Sequence, residues 1–130
     1  MRSLVVDDDF ICRSTLLAQL LPFGSCNAAA DGIEALQAIS RAQEEGWSFD
    51  LICLDIDMPT ISGHEVLRAL RQQEGRLLDG PRAIVIMTSS HSESNQVKSA
   101  FVNQADGFLV KPIRSELLRV RLLSFGLIAG

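Results

Sequence analysis

The chain has 130 residues, of which 47% are hydrophobic and 22% are charged, and its formal net charge is −4. This length suits one compact domain and is too short for two ordinary ones, so we expect residues 1–130 to form a single domain. The acidic balance argues against direct nucleic-acid binding, which usually requires a basic face. The N-terminal apolar run is too short for a signal peptide and no run approaches a membrane span, so we expect no membrane partner.

The cysteines are the next constraint. The chain has three cysteines, which is an odd number, and none of them form a CxxC motif; they are Cys12, Cys26 and Cys53. This pattern argues against a disulfide framework and against a zinc site. We therefore expect reduced thiols and a cytoplasmic location.

Apolar runs and helical spacings alternate along the chain. Apolar runs predict five strands, at 4–6, 26–30, 51–54, 83–87 and 108–110. Apolar residues at helical spacing predict five helices, at 11–21, 33–42, around 66–70, 94–103 and from 115 to about 125. Apolar strands that alternate with helices indicate a parallel sheet covered on both faces. We therefore predict an α/β, flavodoxin-like (βα)5 fold, a doubly wound five-stranded sheet in the order 2-1-3-4-5.

Four of the predicted strands lead into a side chain that can handle a phosphoryl group. The first leads into Asp7 and Asp8, the third into Asp55, the fourth into Thr88 and the fifth into Lys111. The carboxyl ends of parallel strands meet at one edge of the sheet, where ligands usually bind. We therefore expect these side chains to form one site.

The chemistry of this set is coherent. Converging carboxylates repel one another unless a proton or a cation is bound, and a few carboxylates with open positions suit Mg²⁺. A carboxylate can attack phosphorus, and the phosphoryl oxygens then need a cation and a hydroxyl donor as partners. Each residue alone has a simpler explanation: a helix-capping acidic turn at 7–9, a turn hydroxyl at Thr88, a surface charge at Lys111. Their shared position at one sheet edge favours a phosphoryl site.

The motifs that carry these residues resemble those of two-component response-regulator receiver domains, in the superfamily of chemotaxis regulators. The resemblance covers essentially the whole chain, and the motifs occur in the family's order. They are Val5-Val6-Asp7-Asp8-Asp9, Leu54-Asp55-Ile56-Asp57-Met58-Pro59 with Gly63, Met87-Thr88-Ser89, and Phe108-Leu109-Val110-Lys111-Pro112.

The resemblance implies a role for each matching residue. Asp55 would be the phosphoacceptor, Thr88 and Lys111 would contact the phosphoryl group, and Thr88 and Phe108 would form the switch. The implied ligands of Mg²⁺ are Asp7, Asp8, Asp55 and the backbone carbonyl of Asp57, and the Lys111–Pro112 peptide bond would be cis. Catalysis by the chain itself would be limited to phosphoryl transfer onto Asp55 and slow autodephosphorylation.

The resemblance also implies partners. The phosphodonor would be a histidine kinase or a histidine phosphotransfer domain, and the output would be a downstream effector protein or a fused domain. The surface that changes would include the fourth helix, fifth strand and fifth helix, about 94–123, where Arg114, Arg119 and Arg121 are candidate partner contacts. The family pattern also allows a homodimer through the last helices.

Two other functions compete with this one. Asp55-Ile56-Asp57 is similar to the D-x-D motif of haloacid-dehalogenase-like phosphatases, in which the first Asp is the nucleophile and the second the general acid. That motif usually follows the first strand, whereas this one follows the third, and no later G-D-x-x-x-D is present. A degenerate receiver used only for binding would lack the acceptor, a metal acid or the lysine, and all three are present.

Asp57 is the informative departure from the family pattern, because it adds a negative charge beside the site. We hypothesise that Asp57 and Ser90 together set the lifetime of the aspartyl phosphate by controlling the approach of water. Phe108, where a tyrosine would bring a hydroxyl, can fill an inward pocket but forms no phenolic hydrogen bond.

Overall fold

The computed structural model describes residues 1–76, 80–91 and 104–130, and strands alternate with helices through them. The strands are β1 (Ser3–Val6), β2 (Cys26–Ala29), β3 (Leu51–Asp55), β4 (Ile84–Ser89) and β5 (Gly107–Val110). The helices are α1 (Phe10–Leu20), a short 3-10 turn (Leu21–Phe23), α2 (Gly32–Glu44), α3 (Gly63–Gly75) and the C-terminal helix (Ser115–Ser124). The predicted helix at 94–103 lies outside the described residues.

All strand pairs are parallel, and the sheet order is β2-β1-β3-β4-β5. This order confirms the predicted doubly wound α/β fold. The order reverses at β1, so consecutive strands β2 and β3 lie on opposite sides of it. The carboxyl ends of β1, β3, β4 and β5 therefore share one edge of the sheet, as parallel strands require.

Alternate residues of each strand pack into two separate cores, because successive side chains point to opposite faces of a sheet. On one face, Leu4, Val6, Leu54 and their neighbours pack against α2 and α3. On the other face, Val5, Cys53 and the remaining members pack against α1 and the C-terminal helix. Two covered faces explain why β3 is apolar until Asp55.

Helix starts are fixed by side-chain caps. Asp9 accepts from the backbone N–H groups of Ile11 and Cys12, and Asp31 and Ser62 cap α2 and α3 in the same way. The helix-capping interpretation of the first acidic run is therefore right for Asp9, whereas Asp7 is buried at the sheet edge.

Among the strands, the predicted boundaries differ most at β4, which continues through Ser89 instead of ending at residue 87, and α3 is longer than the predicted 66–70 at both ends. The sequence did not reveal this extension, because strands were predicted from runs of apolar residues and the two added residues, Thr88 and Ser89, are polar. Among the described residues, no helix has both the length and the apolar character needed to cross a membrane.

Candidate functional site

Three carboxylates meet where β1 and β3 end. Asp55 is the last residue of β3, and Asp7 and Asp8 directly follow β1. Asp7 and Asp55 are 3% and 2% exposed, whereas Asp8 is open to solvent. One oxygen from each of the three carboxylates lies within 4.8 Å of the others. The structure therefore brings together the acids that the sequence placed at separate strand ends.

Lys111 supplies the positive charge between the two buried carboxylates. Its Nζ lies 2.8 Å from Oδ2 of Asp7 and 3.3 Å from Oδ1 of Asp55. The Lys111 backbone N–H donates to the carbonyl of Ser89, and the Lys111–Pro112 peptide bond is cis. The ammonium is thus held at the acid cluster and is not a free surface charge, and its shorter contact is with Asp7.

The environment of Asp55 favours its protonated form. Burial, followed by repulsion from Asp7, raises the pKa of Asp55 to about 7, although Lys111 and the Asp57 backbone N–H oppose the rise. The same surroundings raise the pKa of Lys111, because its bonds to Asp7 and its attraction to Asp55 outweigh the cost of its burial. One ammonium does not balance three nearby carboxylates, so the site has a deficit of positive charge.

Asp57 is held on two sides. Its backbone N–H donates to Oδ1 of Asp55 at 3.2 Å, and its Oδ2 accepts from the Ser89 hydroxyl at 3.0 Å. Ser89 is fully buried and also accepts from the backbone N–H of His91. Ser90, which the lifetime hypothesis names together with Asp57, is exposed, and the side chain that contacts Asp57 is Ser89. Because β4 continues through Ser89, this hydroxyl is buried at the end of the strand within reach of Asp57.

The two predicted switch residues lie on adjacent strands. Thr88 is 2% exposed and pairs with Asp55 in the register of β3 and β4. Phe108 pairs with Met87 across β4 and β5, and its half-buried ring packs against the core on the α2 and α3 face. Thr88 therefore stands beside Asp55, whereas Phe108 lies one strand farther away.

Gly63 allows α3 to begin against the end of β3. A Cβ at this position would overlap the backbone carbonyl oxygen of Asp55. The Gly63 N–H donates to the carbonyl of Ile56 at 3.1 Å, which fixes this approach. The sequence marked Gly63 as a turn residue, but the need for space next to Asp55 comes from tertiary packing.

The donor set fits a magnesium ion. Asp7, Asp8 and Asp55 offer hard carboxylate oxygens, and the exposure of Asp8 leaves one side open to water and substrate. The charge deficit also favours a cation, since a divalent ion would relieve the repulsion from Asp7 that, after burial, raises the pKa of Asp55. The backbone carbonyl of Asp57 remains a predicted ligand.

Comparison with known proteins decides the family. The sequence model described as the response regulator receiver domain matches residues 4–123. The chain belongs to this family. It is 34% identical over 119 residues to the regulatory protein VanRB of Enterococcus faecalis, covering 92% of this chain and 49% of that protein. It is 36% identical over 123 residues to the response regulator MprA of Mycobacterium leprae, covering 94% of this chain and 49% of that protein. The chain thus spans about half the length of these two relatives.

A solved structure supports the same assignment. The chain is 29% identical to the receiver domain of the histidine kinase CKI1 from Arabidopsis thaliana, complexed with Mg²⁺ and BeF₃⁻. The TM-score is 0.81, and the match covers 95% of this chain and 89% of that one. The family and the observed strand order leave no support for Asp55 and Asp57 as the nucleophile and general acid of a haloacid-dehalogenase-like phosphatase.

Proposed function

We propose that Asp55 accepts a phosphoryl group in a Mg²⁺-dependent reaction and that this domain, residues 1–130, acts as a phosphorylation-operated switch. The observation that carries the proposal is the position of Asp55, a buried carboxylate that shares the Lys111 ammonium with Asp7 and has Thr88 beside it in register. The CKI1 receiver complex adds support, because BeF₃⁻ resembles a phosphoryl group in shape and charge.

The reaction follows from the geometry of the chain's own groups. A carboxylate oxygen of Asp55 attacks phosphorus, the bond from phosphorus to the donor breaks, and its electron pair leaves with the donor group. Lys111 lies 3.3 Å from Asp55, so its ammonium can pair with a phosphoryl oxygen there. The Thr88 hydroxyl can donate to another. Mg²⁺, held by Asp7, Asp8 and Asp55, would neutralise the carboxylates and the incoming phosphoryl charge.

The direct test uses acetyl phosphate with and without Mg²⁺, followed by intact mass. A single phosphoryl adduct that needs Mg²⁺ and is lost in Asp55→Asn supports the proposal. Asp50→Asn is the matched control, because Asp50 is exposed before β3, at the opposite edge of the sheet. Persistence of the adduct in Asp55→Asn, or its absence in the wild type, would refute the proposal.

The proposed donor is a phosphohistidine on a histidine kinase or phosphotransfer domain, in the cytoplasm. Phe10 and Ile11 at the start of α1 are 70% and 72% exposed, directly after the acid cluster. A docked partner would cover these side chains while its phosphohistidine approaches Asp55. Ile11→Ala should therefore slow phosphotransfer from the protein donor and leave labelling by acetyl phosphate unchanged. Equal slowing of both reactions would argue against this docking site.

The proposed output surface includes β5 and the C-terminal helix, and its partner would be an effector protein, a fused domain or a second copy of the chain. Arg114, Arg119 and Arg121 are exposed there, as are Leu117 and Val120. The proposed trigger is movement of Thr88 toward the phosphoryl group with a change at Phe108. Addition of BeF₃⁻ and Mg²⁺ should shift the NMR signals of Phe108, and an unchanged ring environment would contradict this trigger.

The lifetime hypothesis for Asp57 is refined by its hydrogen bond with Ser89. The bond fixes the Asp57 carboxylate beside Asp55, where it would influence the approach of water to the phosphoryl group. Asp57→Asn and Ser89→Ala should both change the autodephosphorylation rate, and Ser90→Ala tests the second residue of the hypothesis, with a changed rate expected. If neither of the first two substitutions changes that rate, Asp57 does not control the lifetime.

A further inference from the structure

Gln19 joins α1 to the loop that carries Lys111. Its side-chain Nε2 donates to the backbone carbonyl of Ile113 at 3.0 Å, across 94 residues of sequence. Among the hydrogen bonds of the described residues, this is the one that connects α1 to the segment between β5 and the C-terminal helix. The amide oxygen Oε1 is buried and accepts from no described protein donor, so the donated bond is the anchoring contact of this side chain.

Apart from the contacts of the Lys111 ammonium with Asp7 and Asp55, the described residues of the Lys111 loop form few other hydrogen bonds. The Lys111 backbone N–H donates to Ser89, but Pro112 has no N–H to donate. Arg114, at the N-cap of the C-terminal helix, makes no side-chain capping bond. On the α1 side, the loop is therefore held by the bond from Gln19 to Ile113 and by the packing of Ile113 against the core.

A cavity separates the same two elements. Its volume is about 150 Å³, and its lining includes Gln19 from α1 and Lys111 and Ile113 from the loop, together with Asp7 and Thr88 from the site. The cavity leaves part of the boundary between the loop and α1 unfilled, although Ile113 packs against the core that includes Leu16 and Leu20. The hydrogen bond from Gln19 lies at the border of this unfilled part.

We propose that Gln19 is a positioning residue, which holds the Lys111 loop so that the ammonium stays where a phosphoryl group on Asp55 can meet it. The role rests on the proposed phosphorylation of Asp55. In the free protein the Lys111 ammonium contacts two carboxylates, at 2.8 Å and 3.3 Å. A small displacement of the loop would leave the ammonium with Asp7 and remove it from Asp55, because Lys111 already has its shorter contact with Asp7.

Two substitutions remove the donor in different ways. Gln19→Leu keeps a similar size without any hydrogen bond, and Gln19→Glu keeps the shape but presents a carboxylate to the Ile113 carbonyl. Gln37→Leu, on the exposed face of α2, is the matched control for the first change. A hydrogen bond of this type is worth about 0.5–1.5 kcal/mol, so we expect the maximal rate of phosphorylation by acetyl phosphate to fall roughly two- to tenfold. The donor concentration that gives half-maximal rate should stay unchanged.

A double substitution distinguishes a positioning role of Gln19 from a general loss of structure. In a Lys111→Met background, Gln19→Leu should cause no further loss of the slow residual rate, because the ammonium that it positions is absent. A purely structural role would slow phosphorylation by the same factor in both backgrounds. Equal factors would overturn the proposal, as would unchanged rates in both Gln19 variants.

A measurement without metal or phosphodonor tests whether the hydrogen bond from Gln19 to Ile113 restrains the loop. Backbone ¹⁵N relaxation should show lower order at Lys111 and Ile113 in Gln19→Leu and Gln19→Glu than in the wild type or Gln37→Leu. Unchanged order at these residues would overturn the inference even if the rates fell. Failure of the wild type to form any adduct would instead refute the proposed function, and the positioning role would fall with it, while the relaxation result would still decide whether Gln19 restrains the loop.

Discussion

Replacing Asp55 with asparagine should stabilise the metal-free protein at pH 8. Asp55 is 2% exposed and lies beside a second buried carboxylate, Asp7, which has the shorter contact with Lys111. Asparagine has nearly the same shape, and its side-chain oxygen can still accept from the Asp57 backbone N–H. The substitution therefore removes a buried charge without opening a cavity.

The sign and size follow from the pKa of Asp55, which burial and Asp7 raise to about 7. The folded protein holds this proton more tightly than the unfolded chain, whose aspartates titrate near pH 4. The contribution of Asp55 to stability is therefore fully present below about pH 4 and is lost as the pH rises to about 7. The full difference corresponds to about 4 kcal/mol. Relaxation and water entry reduce this cost, so we expect Asp55→Asn to be more stable by about 1–3 kcal/mol at pH 8.

Urea unfolding in EDTA, followed through the single tryptophan Trp47, measures the effect. The stability difference between Asp55→Asn and the wild type should grow as the pH rises from about 5 to about 8. Asp50→Asn controls for the loss of a negative charge and should show no such growth. A destabilised Asp55→Asn at pH 8, or a difference that does not depend on pH, would refute the electrostatic reasoning.

Three further substitutions or reactions test the packing around the site and the core. Gly63→Ala should destabilise the fold by about 1–3 kcal/mol in urea unfolding, because the added Cβ meets the Asp55 carbonyl; an unchanged midpoint would show that α3 shifts freely. Arg71→Leu should cost about 2–4 kcal/mol, since Arg71 is 7% exposed at its side chain and bonds Asp106 at 2.9 Å; a neutral result would show that Arg82, which lies 2.8 Å from the other Asp106 oxygen, compensates. A thiol reagent at about pH 8 should leave Cys53 unlabelled until unfolding, because burial raises its pKa to about 12; rapid labelling of all three cysteines would contradict its burial.

The strand order and the edge that carries the site could be predicted from the sequence. Apolar runs that end in Asp7, Asp55 and Lys111 are local signals, and parallel pairing is the arrangement that suits strands buried on both faces. The predicted order, a common one for five such units, is the observed one. Asp7, Asp8 and Asp55 lie close together because the ends of β1 and β3 are neighbours. The alternation of apolar strands with helices was enough to predict that these ends share one edge of the sheet.

Contacts between elements could not be predicted in the same way. The bond from Ser89 to Asp57 depends on β4 continuing beyond residue 87, and the apolar pattern had already ended there. The bond from Gln19 to Ile113 joins residues that are 94 positions apart. Nothing in the local sequence distinguishes a helical glutamine that bonds a distant backbone carbonyl from one that is solvated. Such contacts require the register and the packing distance of two elements, which hydrophobic periodicity does not specify.

The connections around Asp55 suggest how a charge added there would act on the rest of the sheet. The β3–α3 loop is tied to the end of β4 twice, by the Ile56 N–H bond to the Thr88 carbonyl at 2.9 Å and by the Ser89 bond to Asp57 at 3.0 Å. A ligand shifts a conformational equilibrium only through contacts that differ between the two states. A phosphoryl group on Asp55 would add such contacts at Thr88, on the strand that both bonds hold. Since β4 pairs directly with β5, a displacement at Thr88 has only one strand pairing to cross before it reaches Phe108 and the proposed output surface.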